Sequence, residues 1–229
     1  MTHQAIDVGC EQGHVIEAYI GQYQPGWMND IEITRLDIDP LSKPDILQDI
    51  RKPMPPEIAG KYDFVSFTHV LEHMPWRIAV PVFKNVAQLT KPGGFFLTCV
   101  PSMEYACREV VRGKYDKGVV AMIYGGQDDE YAFHLSGYTR PALENLAKQI
   151  NFQIYNFVET QIGVVIDGDK EHAFMGRQWE LMLRRPEDML DMPAIAESKP
   201  VVMANNWKEP EPVVVVKRAR RNRHAKTKD

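Results

Sequence analysis

The chain has no apolar run approaching the roughly 20 residues needed to span a bilayer, so a membrane-spanning role is not expected. Residues 1–9 lack a basic segment followed by an apolar stretch, which argues against a secretory signal. There are three cysteines, Cys10, Cys99 and Cys107, with the spacing of neither a disulfide framework nor a zinc site. That usage suits a reducing, cytoplasmic setting. No group of His, Cys, Asp and Glu has metal-ligand spacing along the chain, so no metal is expected. No internal repeat is apparent.

What is present is ordinary for a globular protein: 229 residues, 44% hydrophobic and 25% charged, enough for one α/β domain with an appendage. The net charge of -4 conceals an asymmetry. Residues 217–229 hold seven of the 27 Lys and Arg and one of the 31 acids, so the rest of the chain is acidic by ten charges.

Residues 1–100 alternate strand-like and helix-like stretches, the pattern of parallel βαβ units. Strands are expected at 5–8, 31–38, near 45–47, at 62–67 and at 94–100, the last almost wholly apolar because both faces of a parallel sheet are covered. Helices are expected at 11–19 and within 76–89, where Ile78, Val82, Val86 and Leu89 recur at helical spacing and Pro81 is tolerable near the start. Residues 101–138 are long for a strand-to-helix link, and such links are often functional. Within them 103–111 is predicted helical and 119–124 is an apolar patch. Thr139 reads as an N-cap with Pro141 just inside the helix that follows, to about Ile150. Late strands at 152–159 and 177–184 are expected as an antiparallel pair. Residues 186–229, with recurrent proline and a basic end, read as a partly disordered linker and tail.

Several short segments carry chemistry. Gly9 follows the first strand, where doubly wound folds bind ligands, and glycine at 9 and 13 lets a ligand approach the backbone closely. Asp7, at the end of that strand, can face an ammonium group. Asp37 ends the second strand, where a carboxylate can accept ribose hydroxyl hydrogens, with Asp39 the alternative if the strand runs on. Gln48-Asp49-Ile50 follows the third strand; Asp49 can accept adenine amino hydrogens while Ile50 covers the ring. The fourth strand leads into Thr68-His69-Val70-Leu71-Glu72-His73, and Leu89-Thr90-Lys91-Pro92-Gly93-Gly94 precedes the fifth.

In this order these segments resemble the class I S-adenosylmethionine-dependent methyltransferases, and Gly125-Gly126-Gln127, Glu130, His134 and Gly137-Tyr138-Thr139 resemble a branch of small predicted methyltransferases. The resemblance covers about residues 5–185. It implies a Rossmann-like, mostly parallel seven-stranded sheet in a three-layer α/β/α arrangement, with a late antiparallel pair. It implies S-adenosyl-L-methionine as cofactor, contacted by Asp7, Gly9, Cys10, Gly13, Asp37, Ile38, Asp49, Ile50, Thr68 and His69. Glu11 departs from the pattern, since a second glycine is usual there, and a side chain crowds the methionyl tail or alters the turn. Transfer would be in-line attack on the sulfonium methyl, with proximity and alignment contributing several kcal/mol. His69 and His134 are the candidate general bases, histidine titrating near neutrality. Glu72 and His73 are read as capping or bracing the next helix, and His3, His14 and His172 carry no argument.

No Asp-Pro-Pro-Tyr-like segment or Pro-Cys nucleophile follows the fourth strand, as amino-directed nucleic-acid or cytosine-carbon methylation would need. The motif order, with a long insertion after the fifth strand where the architecture it resembles usually builds acceptor sites, makes a small molecule or glycan the expected acceptor. The other readings are a non-catalytic cofactor-binding module, motivated by Glu11, and a nucleic-acid-associated enzyme using the basic tail. No aromatic residue interleaves that tail, which argues against base stacking. A nicotinamide dehydrogenase would require the full Gly-x-Gly-x-x-Gly spacing, which is missing. The acceptor atom and the oligomeric state are not readable from these residues.

Overall fold

The computed structural model describes residues 2–10, 15–127, 130–164 and 174–189. Glu11, Gly13, His14 and His172, and nearly all of the linker and tail expected at 186–229, lie outside the described residues.

Seven strands form one sheet: β1 (His3–Val8), β2 (Ile31–Asp37), β3 (Ile46–Leu47), β4 (Tyr62–Thr68), β5 (Thr90–Pro101), β6 (Gln153–Val164) and β7 (Phe174–Arg184). Their order is β3-β2-β1-β4-β5-β7-β6. β1 to β5 pair in parallel, while β7 runs antiparallel to both β5 and β6. Five helices accompany the sheet among the described residues: α1 (Val15–Tyr23), α2 (Ala79–Ala87), α3 (Met103–Val111), α4 (Lys117–Tyr124) and α5 (Arg140–Gln149). This is the doubly wound, mostly parallel seven-stranded sheet with a late antiparallel pair that the family resemblance implies.

The period of two along each strand decides which face a residue serves. Ile6, Val65, Phe96, Leu181 and Leu183 point into the larger core, under α2 and α5 with Phe83, Val86 and Leu143. Their neighbours Ala5, Phe64, Leu97 and Met182 point the other way, onto Ile16, Tyr19 and Ile20 of α1. Every residue of β4 is buried, because the strand is central and covered on both faces.

Local chemistry explains the boundaries. Ser102, Asp116 and Thr139 each cap a helix, accepting the N–H of Tyr105, Val119 and Ala142. The expected apolar patch at 119–124 is the body of α4, whose cap Asp116 starts it earlier. The helix expected at 76–89 is shorter, α2 beginning only at Ala79 after a turn closed by Ile78 N–H on the Pro75 carbonyl. α1 continues to Tyr23, beyond the expected end at residue 19. Lys91-Pro92-Gly93-Gly94 belongs to β5 itself. Gly93 sits at φ 77°, and a Cβ on Gly94 would lie 3.0 Å from the carbonyl oxygens of Asp63 and Lys91, so glycine lets β5 approach β4 there.

β1 and β4 are sheet neighbours, but the chain winds outward from them in opposite directions. Open α/β sheets form a crevice outside the carboxyl ends of the strands at such a reversal.

Candidate active site

At that crevice lies a cavity of about 860 Å³. Gly9 lines it from β1, Asp37, Ile38 and Asp39 from β2, and Asp49, Ile50 and Arg51 from the loop after β3. His69, Val70 and His73 line it from the turn after β4, and Glu130–Phe133 with Leu135 complete it from the long link. Gly9 has φ 77° and donates its N–H to the Leu36 carbonyl at 2.8 Å. A Cβ there would stand 2.3 Å from Val70 Cγ2, so glycine is required by backbone angle and by packing alike.

Asp7 does not line the cavity. It is buried behind Gly9, and burial pushes its carboxyl up to about 6, with Glu17 and Asp37 adding to the rise and Arg35 opposing it. Cys10 is also buried behind the wall, its thiol 3.8 Å from Asp37 Oδ2. Burial first, and then Asp37 and Asp7, push that thiol up to about 11, which keeps it protonated. Asp37 itself is buried at the end of β2 and accepts the Asp39 N–H at 2.9 Å. The Asp39 carboxylate caps the next turn by accepting the Leu41 N–H at 2.9 Å. Both ribose candidates thus hold a local turn, and both line the cavity.

Asp49 is gripped by Arg51, whose Nε and Nη2 reach its two oxygens at 2.8 and 3.0 Å, while the Arg51 N–H adds a third bond. The Arg51 hydrogen bond holds the Asp49 carboxyl below its ordinary value. Ile50 is buried against the core, its carbonyl accepting from Asn85 Nδ2 at 2.7 Å. Thr68 is buried at the end of β4 and does not line the cavity. Gly13, the remaining expected contact, lies outside the described residues.

The turn after β4 holds three histidine-linked groups. His69 adopts φ 54°, its Nε2 2.8 Å from Gln178 Oε1 and its Nδ1 3.2 Å from Glu72 Oε1. Gln178 Nε2 donates to Tyr19 and Glu180, which orients its amide so that the oxygen faces His69. Both ring nitrogens of His69 thus meet oxygen acceptors. His134, the other expected base, sets Nδ1 3.0 Å from the Met122 carbonyl, and His73 sets its Nδ1 3.0 Å from the Phe133 carbonyl. The His73 and His134 rings meet edge to face, centroids 4.9 Å apart.

Burial holds His134 below its ordinary value despite the nearby Glu72 charge. Burial alone would raise the Glu72 carboxyl. The His69 hydrogen bond and the surrounding histidines instead hold it below the usual range. Glu72, read from the sequence as a helix brace, also acts through its backbone carbonyl, which accepts the N–H groups of Leu135 and Ser136 at 2.8 and 3.0 Å. That pair ties the long link to the turn after β4.

A family described as methyltransferase domain matches residues 3–156. The chain belongs to the methyltransferase-domain family. Among curated proteins, none matches its sequence significantly. Similar solved structures include a protein from Methanosarcina mazei described among S-adenosylmethionine-dependent methyltransferases, 14% identical at a TM-score of 0.55, covering 81% of this chain and 93% of that one. A putative methyltransferase from Bacillus halodurans is 13% identical at a TM-score of 0.53, with coverages of 81% and 93%. The 1,6-didemethyltoxoflavin-N1-methyltransferase of Burkholderia thailandensis, solved with its substrate and S-adenosylhomocysteine, is 13% identical at 0.50, with coverages of 81% and 72%. Family and fold together are those of class I methyltransferases, whose cofactor is S-adenosylmethionine.

The methyltransferase cavity fits that cofactor on its own geometry. Gly9 presents backbone without a Cβ, and Asp37 brings a carboxylate to the cavity from the end of β2. The volume falls within the range of small-molecule sites, about 300–1,000 Å³. Arg51 and Tyr131–Phe133 also line the cavity, though no sequence signal singled them out, whereas Val70 and Glu130 were quoted only as part of the resemblance.

Proposed function

We propose that the protein transfers the methyl group of S-adenosylmethionine to a small-molecule or glycan-type acceptor held between the turn after β4 and the 130–135 stretch. One observation carries the reading: Gly9 and Asp37 stand at adjacent strand ends on a cavity that the long link closes from the far side. The toxoflavin-type N-methyltransferase among similar structures supports a small-molecule acceptor. Three free cysteines support a reducing, cytoplasmic setting, and no described helix is long and apolar enough to cross a membrane.

In this reading Asp37 accepts the ribose hydroxyl hydrogens, Asp49 the adenine amino hydrogens, and Ile38 and Ile50 flank the base. Asp7, ionised, complements the ammonium group through the Gly9 turn, and His69 completes the wall, with Cys10 and Thr68 buried behind it. The cofactor, when bound, supplies an electrophilic methyl: the acceptor atom forms a bond to that carbon as the carbon–sulfur bond breaks, its electron pair leaving on sulfur as a neutral thioether. The chain's own contribution is alignment, exclusion of water and a destination for the acceptor's proton. His134 has Nε2 left over once Nδ1 has donated to Met122, whereas His69 must give up a contact to Gln178 or Glu72 before it can accept a proton.

Calorimetry with S-adenosylmethionine and S-adenosylhomocysteine tests the reading, with binding of both expected. Failure of both to bind folded protein at millimolar concentration overturns it.

A further inference from the structure

We infer that Glu72, His73 and His134 form a site for a first-row divalent cation of the zinc type on the acceptor side of the cavity. One ligand atom from each of the three lies within 4.8 Å of the others, the one such group among the described residues. Their order along the chain, two adjacent residues and one far downstream, has no metal-ligand spacing, and only the fold assembles it.

The surroundings of the three side chains point to a ligand. Both imidazoles face a backbone carbonyl with Nδ1, His73 that of Phe133 and His134 that of Met122, each at 3.0 Å. A donor bond at Nδ1 places the lone pair on Nε2 and fixes the ring, which is how metal-binding histidines are usually held. Glu72 is 2% exposed, and while its Oε1 takes His69, its Oε2 is buried with no hydrogen-bond partner among the described residues. An orphaned buried carboxylate oxygen is costly, and a cation satisfies it directly. The backbone bonds from Leu135 and Ser136 to the Glu72 carbonyl hold the segment bearing His134 against the turn bearing the other two ligands.

Two imidazoles and one carboxylate form a donor set that suits zinc, iron or nickel over magnesium or calcium, and it leaves coordination positions open. His73 lines the cavity, so an oxygen or nitrogen of the acceptor can fill an open position and be polarised there. This last role rests on the methyl-transfer reading; the site itself does not. With a cation bound, the His134 lone pair is coordinated, and polarisation of the acceptor replaces His134 as the means of loosening its proton.

The test is calorimetric titration of zinc into tag-free, chelator-stripped full-length protein without S-adenosylmethionine. One equivalent is expected to bind. His73→Ala and His134→Ala should each weaken it more than about 100-fold, beyond what outer-shell partners carry. Absence of binding, or binding undiminished in both variants, overturns the site. Cobalt(II) added to the unmodified protein gives a readout that needs no substitution: of the seven histidines, His73 and His134 should show the largest paramagnetic shifts, with His69, held against Glu72, next. Shifts on His3, His14, His172 or His224 instead place the ion elsewhere and overturn the site. Because no cofactor is present, failure here is distinct from failure of the methyl-transfer reading.

Discussion

On the β2–β3 side of the cavity the carboxylates of Asp37, Asp39 and Asp49 sit at or just past the strand tips, and each accepts from a residue two positions on. Asp37 receives the Asp39 N–H, Asp39 receives the Leu41 N–H, and Asp49 is clamped by Arg51. On the β4 side the contacts run across the chain. Glu72 binds the backbone of Leu135 and Ser136, His73 faces Phe133, and His69 faces Gln178 of the antiparallel strand β7. On the proposed reading the first is the donor side, and a site made of independent strand tips can bind its ligand with little help from the rest. The second is the proposed acceptor side, and a site made of long-range contacts depends on how the 101–138 link is seated.

The comparison breaks most sharply at Gly125. It has φ 79° and ψ -178°, a region that only glycine occupies readily, and a Cβ would lie 1.9 Å from the Ala132 carbonyl oxygen. Gly125→Ala is expected to cost about 3 kcal/mol and to unseat the 125–133 bridge. Denaturant unfolding measures the loss. S-adenosylhomocysteine affinity of the variant, measured where it is folded, should stay within about twofold of the parent; a parallel collapse would show that the two sides are one unit.

Asp37→Ala strikes the donor side. Loss of hydrogen bonds to a charged group should weaken S-adenosylhomocysteine about 10- to 100-fold, with the unmodified protein as reference in the same calorimetric titration. A change under about twofold would remove Asp37 from the ribose role.

On the proposed reading, Asp7 makes donor binding depend on pH. Its carboxyl is raised to about 6 in the free protein, and the ionised form is the one that complements an ammonium group. Affinity is therefore full above that value and falls as pH drops through it, by about tenfold between pH 7 and 5. The stability effect has the opposite sign. A raised carboxyl contributes stability that is present below the unfolded value near 4 and is lost as pH rises through 6. Asp7→Asn should flatten the affinity profile while raising the unfolding midpoint at pH 8, and a variant that leaves the pH profile intact would assign it to another group.

Arg51→Ala is the mildest case. The pair with Asp49 is half exposed on the arginine side, so its loss should change stability by less than about 1 kcal/mol. Release of Asp49 should alter cofactor affinity by a few-fold at most, and a large loss would make Arg51 itself a binding residue.

The donor half was legible because its signals are local. The period of two and the βαβ alternation locate the strand ends, and a glycine or carboxylate at a strand end has its position once the strand is placed. The acceptor half was not. Glu72 and His73 read as a helix brace because their partners are backbone groups far along the chain, and backbone carbonyls leave no trace in residue identity. The patch at 119–124 looked merely apolar, yet it is the helix that carries the Met122 carbonyl under His134.

By itself, the order of residues marked the strands and the Gly9, Asp37 and Asp49 positions at their ends, since alternation is a short-range pattern, while pairings such as β1 with β4 and β5 with β7 join segments far apart in the chain. Only the tertiary structure decided that Glu72 keeps a buried, unpaired oxygen beside two imidazoles whose Nδ1 positions are already taken. The physical reason is that burial and hydrogen-bond partners belong to the packed chain, and no spacing along the sequence encodes them.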